Sequence, residues 1–357
     1  MTDEIQALLR KMHSNDEDSR KEAYTEAFRL DATAVEPLCQ ILADEKAEDH
    51  WLMTTLNLLG NIGDKAAVVP IVNLLKRPQS PDTTLARKYA AYTLTSLKDA
   101  RAVDVLIDLL QEKQWLERGD DDELYLSDEP DHETIAAAIG ALASIGEWHG
   151  IQATIDRLLV GDTWCDCRMG EWGGERAYQY LVEATKSDDV NRRSSAIGLL
   201  GDFGDSRAIS VIIPFLDPRQ PDAVKGSAVS ALNSLKATNA IPLIFPLLAS
   251  QSNELKLHVA FNVKYMMGLR RSAINYEVNS DTTIQQLLKD VGEKHVIETL
   301  LDCRNSQELI VAANGVMFLE AFEPFVTEPE LRNRIRAALN NQSAQLEEWV
   351  LKVKTGF

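Results

Sequence analysis

The chain has 357 residues, 45% of them apolar, with 37 basic against 55 acidic side chains for a net charge of −18. That balance argues against nucleic-acid binding as the main task, since such binding rests on Lys and Arg contacts to phosphate, and against docking on an anionic membrane. The opening Met-Thr-Asp-Glu-Ile-Gln has no basic region followed by an apolar run, the longest apolar run is far short of a membrane span, and four cysteines without framework spacing suit a reducing, cytoplasmic setting.

Aligned on itself, the chain repeats. Taken in order, Ala23–Leu42 matches weakly, then Leu56–Leu75, Tyr92–Leu110, Gly140–Leu159, Ile197–Leu216 and Ser230–Leu248 match well. Each reads as the end of one helix, a short turn and a second helix with apolar residues at i, i+3, i+4 and i+7. Gly63 and Gly204 fall where the first helix must end in a left-handed residue, which glycine adopts without penalty. Asp64, Asp99 and Asp205 follow, placed to cap the second helix. No long stretch alternates with period two, so no sheet is expected. A lone helical hairpin cannot bury its apolar faces, but stacked neighbours do so jointly. The expected fold is an all-α solenoid of about seven to eight helical hairpins.

The turn motif carries a resemblance. Asp99-Ala-Arg101-Ala102-Val103 and Gly204-Asp205-Ser-Arg207-Ala208-Ile209 resemble the HEAT-like repeat of phycobilisome-lyase-type proteins, whose turn reads roughly Gly-Asp-x-Arg-Ala-Val; Gly63-Asp64-Lys-Ala-Ala-Val68 lacks the arginine. The likeness covers roughly residues 15 to 270 and is specific for the repeat class, not for an activity. For some members it implies a bilin lyase, which holds an open-chain tetrapyrrole and delivers it to a cysteine of a phycobiliprotein. Tyr89 and Tyr92 are similar to the tyrosines on first helices of such lyases, although their helical spacing also suits core or groove lining.

The register breaks twice. The second-helix anchors Val35, Val68, Val103, Ile151, Ile209 and Ile241 are spaced 33, 35, 48, 58 and 32 residues apart. The surplus follows the second helix in both long repeats, giving an acidic insertion near 113–131 and a Trp-, Cys- and Gly-rich insertion over 161–186. The chain therefore divides into N-terminal repeats (1–160), the second insertion with an extra helix (161–186), and C-terminal repeats with divergent capping helices (187–357). Both insertions leave from the same kind of junction in consecutive repeats, which predicts neighbouring positions on one rim.

Those insertions hold the candidate partner- or ligand-binding residues: Trp115, Glu123 and Tyr125 in the first, and Trp164, Cys165, Cys167, Arg168 and Trp172 in the second. The Cys-x-Cys pair reads as a metal-thiolate, a redox pair or an incidental loop feature; its spacing is not that of zinc ligands, and Arg168 could lower a thiol pKa. Asp120-Asp121-Asp122-Glu123 lacks the spaced ligands of a calcium loop and reads as a solvated acidic segment. His132-Glu133 alone cannot build the di-iron centre that recurring His-Glu pairs form in HEAT-like deoxyhypusine hydroxylases, because the other five histidines are not followed by Glu. Arg87, Lys88, Arg192 and Arg193, early on first helices, are expected on a solvated face.

No catalytic residue, metal or cofactor is expected. The leading expectation is a non-catalytic scaffold or assembly chaperone that holds one or more proteins, with a basic surface suited to the acidic rim. The alternative is the bilin lyase, with an open-chain tetrapyrrole as its ligand.

Overall fold

A computed structural model describes residues 2–27, 29–77, 84–112, 115–118, 124–127, 131–161, 173–269 and 280–355. The periodicity becomes stacked helical hairpins in two units, Met1–Ala177 and Tyr178–Phe357. The all-α solenoid expected from the repeats is the observed fold.

In the first unit, α1 (Thr2–Met12) and α2 (Glu17–Ala27) precede α3 (Val35–Ala43), α4 (Asp49–Ile62), α5 (Val68–Leu75), α6 (Thr84–Leu97) and α7 (Val103–Gln111). After the first insertion come α8 (His132–Ile145), α9 (Trp148–Val160) and the start of α10 (Gly174–Ala184). First helices pack in a row, α4 on α6 on α8, while α3 packs on α5 and α7 on α9. On α4, Leu52, Leu56 and Leu59 recur at helical spacing and are wholly buried.

The first helices α4 and α6 run in the same direction and are tied at their starts and again past their midpoints. The Asp49 carboxylate, at the start of α4, accepts from the amides of Leu85 and Ala86 at 3.2 and 2.8 Å, serving two of the N–H groups a helix start leaves unpaired. Further along, the Thr93 hydroxyl of α6 shares its proton between Tyr89 O of its own helix at 2.8 Å and Leu56 O of α4 at 3.1 Å.

The turns form as the motif requires, with one refinement. Gly63 ends α4 at φ 74° and Gly204 takes φ 79° at the matching place. Asp64, Asp99 and Asp205 accept from the amides two residues on, of Ala66, Arg101 and Arg207. Asp64 and Asp99 thereby cap short 3-10 turns, Lys65–Ala67 and Ala100–Ala102, which then run on into α5 and α7.

A two-stranded ribbon departs from the all-helical expectation. β1 (Trp115–Arg118) and β2 (Leu124–Ser127) pair antiparallel, with Trp115 opposite Ser127 and Glu117 opposite Tyr125. Four-residue strands offer two alternations each, too few for period two to stand out from helical patterning. The absence of any sheet is therefore corrected locally; the ribbon is confined to the first insertion.

The second unit takes the rest of α10, then α11 (Val190–Phe203), α12 (Ala208–Ile212), α13 (Asp222–Ser234), α14 (Ile241–Ile244), α15 (Asn253–Met266), α16 (Ser280–Val291), α17 (Glu293–Arg304), α18 (Leu309–Phe322), α19 (Pro329–Asn340) and α20 (Ala344–Thr355). Its early second helices are short because Pro214 and Pro246 lack the amide needed to continue an α-ladder, and both chains tighten into 3-10 turns at Ile213–Leu216 and Phe245–Ala249. α11 and α13 approach closely at Gly201, where a Cβ would stand 2.5 Å from Ala231 Cα. Among the described residues, Phe245, Phe318 and Phe322 are the largest fully buried side chains, and α18 packs on α20 through Ala312, Ala313, Val316, Leu346 and Val350.

Candidate functional site

The first-helix row of the first unit exposes residues that its own packing does not use. With Leu52, Leu56 and Leu59 turned inward, Asn57 and Asn61 stand on the outer side of α4. They border a cavity of about 290 Å³ whose lining also includes Met12, Tyr24, Thr54 and Leu58. Tyr24 is 50% exposed. Tyr92, also half exposed, is the ninth residue of α6 as Asn57 is of α4, so the two occupy matching positions on adjacent parallel helices. Tyr89 meets Tyr92 edge-on with ring centroids 6.4 Å apart.

The cavity's border is fixed by a hydrogen-bond relay. Thr54 Oγ1 donates to His50 O at 3.0 Å, so it accepts from His13 Nε2 at 2.9 Å, which makes His13 the Nε2–H tautomer. The rings of His13 and His50 meet edge-on at 4.8 Å. Burial, and secondarily the neighbouring His50, holds the His13 pKa below its ordinary value.

Of the residues singled out in the sequence, Trp115 and Tyr125 lie on the two strands of the ribbon, and its register assigns positions 115, 117, 125 and 127 to one face. Glu123, Trp164, Cys165, Cys167, Arg168 and Trp172 lie outside the described residues, as does the run 120–123.

The solvated face expected for the early first-helix cations is corrected. Arg87 is only 5% exposed and donates to Leu75 O and Arg77 O at 3.0 and 3.2 Å. Arg193 reaches back to Ser187 O at 2.6 Å, Lys88 is engaged by Glu133, and Arg192 is half-buried. The cause is general. Arg20, Arg87 and Arg193 are each the fourth residue of a first-type helix, and each turns back to main-chain carbonyls 6 to 12 residues earlier in the chain. A cation at that position was the readable signal.

Reactive chemistry finds little support among the described residues. Burial pushes the thiols of Cys39 and Cys303 up to about 11, away from thiolate character. No group of three or more His, Cys, Asp or Glu side chains is placed to hold a metal there. In the second unit Ser230 Oγ lies 2.7 Å from His258 Nε2, the spacing of a nucleophile and its base. The same nitrogen is 3.0 Å from the acceptor Gly226 O, so it carries its proton and donates; it cannot take one from the serine. The pair ties α13 to α15. No helix is long and apolar enough to cross a membrane among the described residues.

Comparison with known proteins follows the same lines. Residues 86–112 match the PBS lyase HEAT-like repeat. No curated protein matches the sequence. Among solved structures, a triple mutant of Kap121p superposes with a TM-score of 0.59 at 13% identity, over 97% of this chain and 41% of that one. The karyopherin Kap121p bound to the extreme C-terminus of the protein phosphatase Cdc14p gives 0.50 at 13% identity, over 98% and 42%. The chain thus spans about two fifths of the karyopherin's length. The complex of CpcE and CpcF of phycocyanin lyase from Nostoc sp. PCC7120 gives 0.24 at 18% identity, over 76% of this chain and 93% of that one, too loose a fit to carry an argument. At these identities the likeness is one of fold. The chain is an α-solenoid that carries a PBS lyase HEAT-like repeat at residues 86–112.

Proposed function

We propose that the chain is a non-catalytic protein-binding scaffold or assembly chaperone, using its helical-repeat surface and two neighbouring rim insertions to hold protein partners. One observation carries this reading. Tyr24 stands half exposed beside two amides, Asn57 and Asn61, that make no hydrogen bond to any described residue, and Tyr92 is half exposed at the position on α6 that matches Asn57 on α4. Rigid aromatics beside unspent polar groups are the composition of an interface centre. The aromatics Trp115, Tyr125, Trp164 and Trp172, with Glu123, Cys165, Cys167 and Arg168, would extend that surface along the rim. The net charge of −18 favours a partner with a basic surface. A karyopherin of similar fold holds the C-terminus of another protein, which supports the same use of the stack here. Affinity purification of wild type and of two double variants, Tyr24→Ala with Tyr92→Ala and Trp164→Ala with Trp172→Ala, tests it. Helical content should persist while a specific partner is lost; full recovery of the partner by both variants would overturn the reading.

A second reading, a bilin lyase or lyase-isomerase acting on a phycobiliprotein subunit, is favoured by the repeat match, which spans Tyr89 and Tyr92. Co-expression with an open-chain tetrapyrrole and a phycobiliprotein subunit decides between the two. Covalent transfer of colour to the subunit supports the lyase, and none supports the scaffold.

A further inference from the structure

We propose that Arg87 and Lys88, adjacent on α6, are a positioning pair that aims the β-ribbon by holding its two roots. The root entering the ribbon is Glu112, which ends α7 and leaves it extended at ψ 130°. Its carboxylate accepts from Arg87 Nη2, and the same guanidinium is locked by Leu75 O and Arg77 O. The root leaving the ribbon is the start of α8. There Lys88 Nζ meets Glu133 Oε2 at 2.5 Å, and Asp131 caps the helix through the amides of Glu133 and Thr134, both at 3.1 Å. The Glu133 contact raises the Lys88 pKa above its ordinary value, and Asp131 adds to the shift.

Covalent geometry makes these anchors decisive. From Glu112 to Trp115 is three residues, and from Ser127 to Asp131 four. An extended chain spans at most about 11 and 14 Å over those lengths. Trp115 and Ser127 face each other at the base of the ribbon, so that base stays within this reach of both pinned roots. One helix therefore carries both the exposed Tyr92 and the two anchors of the ribbon. The anchors are a property of the fold; that the ribbon meets a partner rests on the reading proposed above.

Arg87 is buried, and Arg87→Met would strip Leu75 O, Arg77 O and Glu112 of their donor and destabilise the repeat itself, so the test uses the more exposed pair. Lys88→Glu, Glu133→Lys and the double reversal are compared with wild type by amide hydrogen exchange at residues 115–118 and 124–127, with helical content and partner recovery measured alongside. Each single reversal should speed exchange in both strands roughly threefold at unchanged helical content, and the double should restore it. Single variants that exchange like wild type, or a double that stays fast, would overturn the positioning role. Restored exchange in the double, with partner recovery unaffected by either single reversal, would uphold the anchors and remove the ribbon from the binding surface.

Discussion

Arg101 Nη2 donates to Lys65 O at 2.9 Å, one repeat earlier in the chain, while the same guanidinium holds both oxygens of Asp99. One motif thus caps its own turn and laces that turn to its predecessor. The Asp99 side chain also accepts from the Arg101 amide, and these bonds hold its carboxyl well below the usual value of 3.8. Asp99→Ala should cost about 1 kcal/mol, the worth of a lost cap. A carboxylate with a depressed pKa stabilises fully above its unfolded value and loses that contribution as the pH falls through it. Melting curves of wild type and Asp99→Ala should therefore be well separated at pH 7 and converge as the pH drops below 3.8.

Two glycines three residues apart on α11 should respond in opposite directions. Gly201 has no room for a Cβ against Ala231, so Gly201→Ala must push α11 from α13 and cost about 1–3 kcal/mol. Gly198 has nothing within 4 Å, and Gly198→Ala should stabilise by about 0.5–1 kcal/mol through helix propensity alone. Denaturant midpoints of the two variants on opposite sides of wild type would establish the close approach; a shared direction would refute it.

Lys98 occupies the helix-ending position that Gly63 and Gly204 fill elsewhere, at φ 49°. A side chain in this left-handed region is strained by the contact of Cβ with the following carbonyl. Lys98→Gly should raise stability by about 0.5–1 kcal/mol after the entropic cost of glycine. A lower melting temperature than wild type would show that the lysine is held there by something else.

His13 links α1 to α4 through Thr54, and burial, then the neighbouring His50, disfavours its charged form. With its pKa lowered in the folded chain, the unfolded chain binds the extra proton first. The contribution of His13 is thus full above 6.5 and declines as the pH falls below that value. Protection factors over residues 2–12 should drop between pH 7.5 and 5.5, and His13→Gln should remove most of that dependence.

What the sequence made legible follows from the range of each signal. Gly63, Gly204, Asp64 and Asp99 act within a turn of their own position, so their roles are written locally. The Arg87 environment is not local: its acceptors belong to the end of α5, and its acidic partner to the end of α7. Burial of a charge by distant carbonyls leaves no trace in a hydropathy pattern. The ribbon failed for a different reason, since four residues of strand are too few to establish a period. Tyr24, Asn57 and Asn61 went unread because a polar residue on the outside of a helix is ordinary until a neighbour closes one side of it.

Several links between successive hairpins of the first unit point the same way along the chain, while those from Lys88 to Glu133 and from His13 to Thr54 run in the other sense. The amides of Leu85 and Ala86 find Asp49, Arg77 finds Leu42 O, and Arg101 finds Lys65 O; in each of these the later segment supplies the donor and the earlier one already holds the acceptor. A polypeptide leaving the ribosome amino end first would present each acceptor before its donor is made. Synthesis then proceeds like the laying of courses in a wall, each new one bedding on the last, and shortening the chain from its amino end would leave the next hairpin's donors without acceptors.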